Sequence, residues 1–256
     1  MTDMASQPIK ILITGSSGYV GHFLTNRLLL ENQVDRNDGS NSSSNSNHSN
    51  RFFVYGCTFR TGPAAVPVDA TCKALVMDGL DDASVAAAVA ESSPDVVVNL
   101  MAIAAPVQCK KDPATARKLN VPTGLIEAMR AHCPAAMLVH LSTDMVYGSN
   151  SDAPHTEDAE CTPVNVYGET KLAAEQLIRA EWPHHVILRA SAIYGPRPEG
   201  RACTKLAGGS FLQFVRFSFV RVAQYGFVHL CSCWWGHCAW HRTTVQGGIC
   251  VGWWIK

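Results

Sequence analysis

The 256 residues predict an α/β fold in which a parallel sheet is wrapped by helices on both faces. Three observations carry that expectation. Short β-branched apolar runs alternate with stretches whose apolar residues recur at helical spacing. A glycine-spaced turn joins the first run to the first helical stretch. Hydrophobic residues make up 47% of the chain against 16% charged, enough for one sizeable core.

Ile9 to Thr14 (IKILIT) suits a strand buried on both faces, and it ends at Gly15. Tyr19 to Glu31 follows as a helix, with Val20, Phe23, Leu24 and Leu28 on one side. Further strands are expected over Phe52 to Cys57, Ala74 to Met77, Asp95 to Leu100, Met137 to Leu141 and Val186 to Leu188. Between them, helices are expected over the alanine-rich Asp81 to Glu91, over Pro113 to His132 with proline in the first turn, and over Asn165 to Ala180. One segment breaks the alternation. Residues 35–50 (DRNDGSNSSSNSNHSN) contain no apolar side chain, so nothing offsets their ordering entropy, and they are expected to form a disordered insertion.

Lys plus Arg and Asp plus Glu both number 21, which leaves zero formal charge and removes the electrostatic case for a nucleic-acid or acidic-membrane partner. No run of 18 uncharged apolar residues is present, and Met1 to Lys10 lacks the apolar core of a secretory signal, so the chain reads as soluble and cytoplasmic. The ten cysteines are scattered and are expected to be thiols rather than a disulfide framework.

Chemistry enters at Thr14-Gly15-Ser16-Ser17-Gly18-Tyr19-Val20-Gly21, a G-x-x-G-x-x-G turn with a strand before it and a helix after it. Gly15 permits the tight turn, Gly18 lets a pyrophosphate approach the backbone, and Gly21 packs helix against sheet; Ser17, Tyr19 and Val20 lie between them at the helix N-terminus, which favours an anion. This refines the fold to a Rossmann-type doubly wound parallel sheet. The second strand runs out through Gly56-Cys57-Thr58-Phe59-Arg60 without a carboxylate for a ribose 2′-hydroxyl, so NADP is favoured over NAD, with Arg60 facing the 2′-phosphate or standing as a solvated surface cation.

Tyr167 and Lys171 are four apart on an expected helix and share a face. An ammonium beside a phenol is expected to lower the phenol's pKa and ready it for proton exchange with a carbonyl or alcohol while a nicotinamide exchanges hydride. Ser142-Thr143-Asp144 ends a strand, where a hydroxyl can polarise the same oxygen. No metal site is expected among these residues.

TGSSGYVG (14–21), LSTDMVYG (141–148) and YGETK (167–171) stand in the order and spacing of the extended short-chain dehydrogenase/reductase family, which the chain resembles from Ile9 to Phe214. Within it the chain is similar to the dTDP-4-dehydrorhamnose reductase group. That group includes the regulatory beta subunit of methionine adenosyltransferase, to which GCTFR (56–60) and NVYGETKLAAE (165–175) are similar. The resemblance implies Tyr167 as proton donor, Lys171 as its tuner and ribose ligand, Thr143 at the family's Ser/Thr position and Ser142 just before it. It further implies Asp78 near the adenine, Phe59 and Arg60 on the adenosine side, and Ala102 to Ala105, Ala104 included, beside the cofactor. Asn120 matches a family asparagine or is a helix-surface amide; Asp144 is an auxiliary acid or caps a turn. The implied activity is NADP(H)-dependent reduction of a nucleotide-linked 4-keto sugar; the alternative is a non-catalytic NADP-binding subunit that holds a methionine adenosyltransferase catalytic subunit.

Residues 1–214 thus read as the cofactor domain, and 215–256 as a different text. After Glu199 no Asp or Glu occurs, and five of the six tryptophans and four of the ten cysteines fall between Val215 and Lys256. A zinc site of Cys231, Cys233, Cys238 and His241 lacks the usual paired spacing, and a tryptophan-rich interaction patch lacks amphipathic order. A frame-shifted or unspliced reading in place of the substrate-covering lobe accounts for the acid gap and the composition together, and implies weakened turnover. Sequencing mature messenger RNA across the codons for Gly209 to Val222 checks this: splicing into an acid-containing continuation is expected, and transcripts encoding the Trp/Cys tail contradict it.

Overall fold

The computed structural model describes residues 7–37, 51–59, 66, 70–148, 155–191 and 193, together with Phe217–Phe219; for 34–37 and 217–219 it describes the backbone. The elements follow in the order β1 (Ile9–Thr14), α1 (Tyr19–Asn37), β2 (Phe52–Thr58), β3 (Cys72–Val76), α2 (Asp82–Ser92), β4 (Val96–Asn99), α3 (Pro106–Lys111), α4 (Pro113–Asn120), α5 (Thr123–His132), β5 (Met137–Thr143), α6 (Val166–Glu181), β6 (His185–Ala190) and β7 (Phe217–Phe219). The strands form one sheet in the order β3-β2-β1-β4-β5-β6-β7. All pairings from β3 through β6 are parallel, and β7 runs antiparallel to β6. The strand order reverses between β1 and β4, where Thr14 pairs with Asn99. That reversal leaves a crevice at the carboxyl ends of the two strands, the usual ligand position of an open α/β sheet.

Alternation along β1 builds both cores. Leu12 points to one face, where it joins Val85 and Val89 of α2, Ile126 and Met129 of α5, and Ile178 of α6. Ile11 and Ile13 point to the other, with Leu29 of α1 and Val54 and Val98 from the flanking strands. The sheet is therefore covered on both sides, as the sequence predicts for a doubly wound fold.

The structure departs from the expected elements in four places. The stretch Pro113 to His132 is two helices, because Pro122 biases Val121 to extended backbone (φ −91°, ψ 112°), ending α4 and starting α5. The short α3 was not expected; Pro106 in its first turn starts it, and Asp112 ends it and caps α4 by accepting from the Thr115 N–H. α1 continues through Asn37, so residues 35–37 belong to a helix instead of the insertion, whose remainder (38–50) lies outside the described residues. Within 215–256 no strand was expected, yet Phe217–Phe219 pairs with Leu188 to Ala190 along the free edge of β6. The rest of that tail, including Cys231, Cys233, Cys238 and His241, lies outside the described residues.

Leu12 is fully buried at the centre of the first core. Leu12→Ala is expected to lower unfolding stability by about 2–5 kcal/mol through lost transfer energy and the residual cavity. Urea denaturation of parent and variant checks this; an unchanged midpoint contradicts the packing.

Candidate active site

The turn between β1 and α1 is held from three sides. Gly15 has φ +68°, a left-handed conformation, and a Cβ there would meet the backbone of Leu100 and Met101 at 3.2 Å. A Cβ at Gly21 would fall 2.5 Å from the Gly15 carbonyl oxygen and 2.6 Å from Ser16 Cα, so the first turn of α1 lies directly on the loop. The Ser16 N–H and hydroxyl both donate to the Cys57 carbonyl, fixing the loop to β2. Gly18 is exposed, leaving its backbone open to a ligand at the helix N-terminus. Ser17, Tyr19 and Val20 are half-buried between the glycines, as the motif requires. The loop therefore fits a pyrophosphate: its backbone is exposed where a Cβ would intrude, and packed where a Cβ would clash.

From this loop a line of buried polar groups crosses the sheet. Thr14 Oγ1 donates to Asn99 Oδ1 at 2.7 Å and accepts from the N–H groups of Leu100 and Met101. Asn99 Nδ2 lies 3.1 Å from His140 Nδ1, and His140 Nε2 lies 2.9 Å from Lys171 Nζ. Lys171 is 1% exposed. Burial moves its pKa from 10.5 down to about 7, against the pull of Glu175. Burial, with Lys171 nearby, also holds His140 well below its ordinary value.

Tyr167 lies one turn before Lys171 at the start of α6, which Asn165 caps by accepting from the Gly168 N–H at 2.8 Å. Its phenol is raised from 10.0 to about 12, by burial first and then by Cys109 and Asp144. This corrects the expectation that the lysine lowers the phenol's pKa. Lys171 is turned onto His140, and the groups that act on Tyr167 disfavour its phenolate.

Neighbouring residues on β5 point to opposite sides. Ser142 donates to Glu175 Oε1 at 2.5 Å and so takes part in a buried ion pair rather than facing the crevice. Thr143 Oγ1 accepts from the Met145 N–H and donates to Asp144 Oδ1 at 3.2 Å, capping a 3-10 turn over Asp144–Val146. Asp144, Met145, Tyr147, Gly148, Val164 and Asn165 line a shallow cleft of about 250 Å³ beside this turn. Glu175 receives two nitrogens of Arg189 (3.0 and 2.7 Å), and Arg189 also donates to the Tyr147 hydroxyl at 2.6 Å. The ion pair thereby fixes one wall of the cleft.

Asn120 is fully buried, which excludes the helix-surface reading. Its Oδ1 accepts from the Ile103 N–H at 2.7 Å, and its Nδ2 donates to the Ile103 carbonyl and to Thr170 Oγ1. One amide thus clamps the segment 100–105, with half-buried Ala102 and exposed Ala104, against α6. Asp78 follows β3, and its Oδ1 accepts from the Leu80 N–H, shaping the entry to α2. Phe59, 53% exposed, follows β2 directly; Arg60 lies outside the described residues. The motifs did not identify Asn99, His140, Glu175 and Arg189. A histidine inside the apolar run MLVHLST (137–143) was the available signal for one of them. Among the described residues Cys57, Cys109, Cys133 and Cys161 are thiols outside any disulfide, and no group of three or more His, Cys, Asp or Glu is placed to hold a metal. No helix among them is long and apolar enough to cross a membrane.

The chain matches the family model of the RmlD substrate binding domain over residues 9–207. The dTDP-4-dehydrorhamnose reductase of Salmonella typhimurium is 34% identical over 141 residues, which are 55% of this chain and 47% of that protein. The matched region spans about half the length of the curated relatives. Among solved structures, a dTDP-4-dehydrorhamnose reductase from Bacillus anthracis in complex with NADP has a TM-score of 0.58 at 21% identity, covering 76% of this chain and 57% of that one. UDP-glucuronic acid 4-epimerase from Bacillus cereus, in complex with UDP-glucuronic acid and NAD, has a TM-score of 0.58 at 27% identity, covering 74% and 58%. Both likenesses agree with the Rossmann-type fold.

Between about pH 7 and 10.5 the unfolded chain binds a proton at Lys171 that the folded chain does not, so this residue's contribution to stability increases as pH rises through that window. Lys171→Met removes the penalty. Its stability relative to the parent is expected to be most favourable near pH 7 and to lose ground toward pH 10. A difference in urea midpoints that is constant across the window contradicts the lowered pKa.

Proposed function

The chain belongs to the RmlD substrate binding domain family, and from that premise we propose that it is an NADP(H)-dependent reductase of a nucleotide-linked 4-keto sugar. The observation that carries this reading is the placement of Tyr167 and Lys171 one turn apart on α6, with Thr143 and Asp144 at the end of β5 and the glycine turn at the carboxyl end of β1. Reduction of a ketone needs a group that still holds its proton at neutral pH and releases it to a developing alkoxide.

The nicotinamide, when bound, supplies the hydride. The turn from Gly15 to Gly21 would hold the pyrophosphate, and the segment around Ala102 and Ala104 would flank the nicotinamide side. Tyr167 gives its proton to the keto oxygen. Thr143, whose hydroxyl already bonds Asp144, orients that oxygen, while Asp144 stands at the rim of the cleft. Lys171 would face the ribose hydroxyls. The absence of a carboxylate at Cys57, Thr58 and Phe59, with Arg60 next in sequence, supports NADP over NAD. We further read 215–256 as a replacement of the substrate-covering lobe, with slower turnover as the consequence.

Tyr167→Phe is expected to reduce NADPH oxidation with a 4-keto sugar nucleotide by about 10²-fold or more, while NADPH binding followed by fluorescence is unchanged. Equal rates in parent and variant contradict the assignment. A parent that binds NADPH, turns nothing over and co-purifies with a methionine adenosyltransferase catalytic subunit irrespective of Tyr167→Phe supports the non-catalytic alternative instead.

A further inference from the structure

We propose that Thr170 is a positioning residue that joins the first turn of α6, which carries Tyr167, to the segment 100–105 beside the cofactor. On the reductase reading, which this inference deepens and rests on, the proton donor and the hydride side are thereby held as one body. The direction of each bond follows from counting donors and acceptors. The Asn120 atom that takes the Ile103 N–H at 2.7 Å is the carbonyl oxygen, so its other polar atom is the amide nitrogen with two protons. One proton goes to the Ile103 carbonyl at 3.2 Å and the other to Thr170 Oγ1 at 2.9 Å. Thr170 Oγ1 accepts there, which leaves its own proton for the Tyr167 carbonyl, 2.8 Å away. The Ile103 carbonyl fills its second lone pair from α3, where the Cys109 thiol donates at 3.1 Å. Both amide protons of Asn120 are thus used, and the chain runs from Ile103 through Asn120 and Thr170 to the Tyr167 backbone.

The surroundings make this joint consequential. Asn120, Thr170 and Cys109 are all buried, so water does not replace a lost partner. The start of the segment is held separately, by Thr14 at the N–H groups of Leu100 and Met101. The hold at Ile103 reaches the backbone of Tyr167. On its other side the same turn of α6 lies against the 3-10 turn that follows Thr143, since a Cβ at Gly168 would collide with the Met145 carbonyl. Helix α6 is therefore gripped from both sides at one turn. Gly168 seats it on the residues that face the keto oxygen, and Thr170 ties it to the alanines that flank the cofactor. A misplacement of about 1 Å between reacting groups costs on the order of a hundredfold in rate, so a joint of this kind acts on turnover more than on binding.

The test is Thr170→Val, which keeps the shape of the side chain and removes the hydroxyl, with Thr170→Ser, which keeps the hydroxyl, as the rescue. Amide hydrogen exchange is followed by NMR on the full chain labelled with nitrogen-15 isoleucine, and Ile103 is identified by the resonance that Ile103→Val removes. Thr170→Val leaves one Asn120 proton unbonded, so the Ile103 amide is expected to exchange about tenfold faster. The amides of Ile13 and Ile187, buried in the sheet, are expected to keep their rates, and Thr170→Ser to restore slow exchange at Ile103. An unchanged Ile103 rate, or equal acceleration at all three amides, means that Thr170 only fills space, and overturns the proposal. In NADPH oxidation with a 4-keto sugar nucleotide, Thr170→Val is expected to lower kcat about tenfold with KM and NADPH affinity unchanged, and Thr170→Ser to recover it. A loss expressed in KM alone overturns the positioning role. Should Thr170→Val fail to fold, Thr170→Ala removes the hydroxyl with a better helix former, and slow exchange retained at Ile103 overturns the proposal. A parent without turnover whose Ile103 amide responds as expected ends the reductase reading and leaves the joint standing. Turnover with an unresponsive Ile103 amide ends the joint and leaves that reading.

Discussion

The hydrogen bond from Thr14 to Asn99 ties the ends of the two strands between which the sheet changes direction. A crevice at that point is a topological consequence of the strand order, but its width is set by how β1 and β4 terminate. Thr14 fixes that termination by bonding across to Asn99 and catching the first two N–H groups of the segment that leaves β4. The Gly15 turn lies so close to the same backbone that a Cβ there would meet it at 3.2 Å. A pyrophosphate loop made of glycines has little side-chain packing of its own, and this anchoring, with Ser16 on the Cys57 carbonyl, supplies its rigidity.

Helix α6 carries the remaining functional groups in one row. Tyr167, Lys171 and Glu175 follow at intervals of four, with Thr170 alongside, and the last three reach different supports: Lys171 reaches His140, Glu175 reaches Arg189 and Thr170 reaches Asn120. The helix approaches the 3-10 turn closely enough that a Cβ at Gly168 would collide with the Met145 carbonyl, so glycine in the YGETK motif is a packing requirement. Buried charges are costly unless fully bonded, and Glu175 meets that condition with Ser142, Arg179 and Arg189. Removing Arg189 would leave the carboxylate with weaker compensation and free Tyr147 from its guanidinium, loosening the cleft wall at the same time.

The parts of this arrangement that are local in sequence were legible there. The strands of β1 and β4, the glycine turn and the Tyr–Lys pair each declare themselves within a dozen residues, by apolar runs, by spacing or by helical periodicity. Pro122 was equally readable as a helix boundary, because proline restricts the residue before it. The polar line from Thr14 to Lys171 was not, since its contacts join residues 85, 41 and 31 positions apart. Motif spacing describes neighbours along the chain, whereas the charge of a lysine depends on what the sheet topology brings beneath it. The same limit explains why the sequence left Asn120 open between a site asparagine and a surface amide: its helix is short and polar, and only tertiary placement buries its amide against Ile103 and Thr170.

The corrected state of Tyr167 and Lys171 also bears on the direction of proton flow. A phenol pushed up to about 12 by burial keeps its proton throughout the neutral range, so it enters the reaction as the donor, although a weaker one than a free phenol. A phenol that must first lose its proton, as alcohol oxidation requires, faces burial and the Asp144 carboxylate. One that must donate is already in the required form. Once the proton has left, the phenolate is a buried charge, and Lys171 one turn along α6 is a titratable group whose protonation would compensate it. The two ionisations therefore favour one another: donation from Tyr167 creates the field that favours a proton on Lys171. Such a coupling keeps the phenol protonated before reaction and stabilises its anion after it, which is the sequence of states that ketone reduction needs.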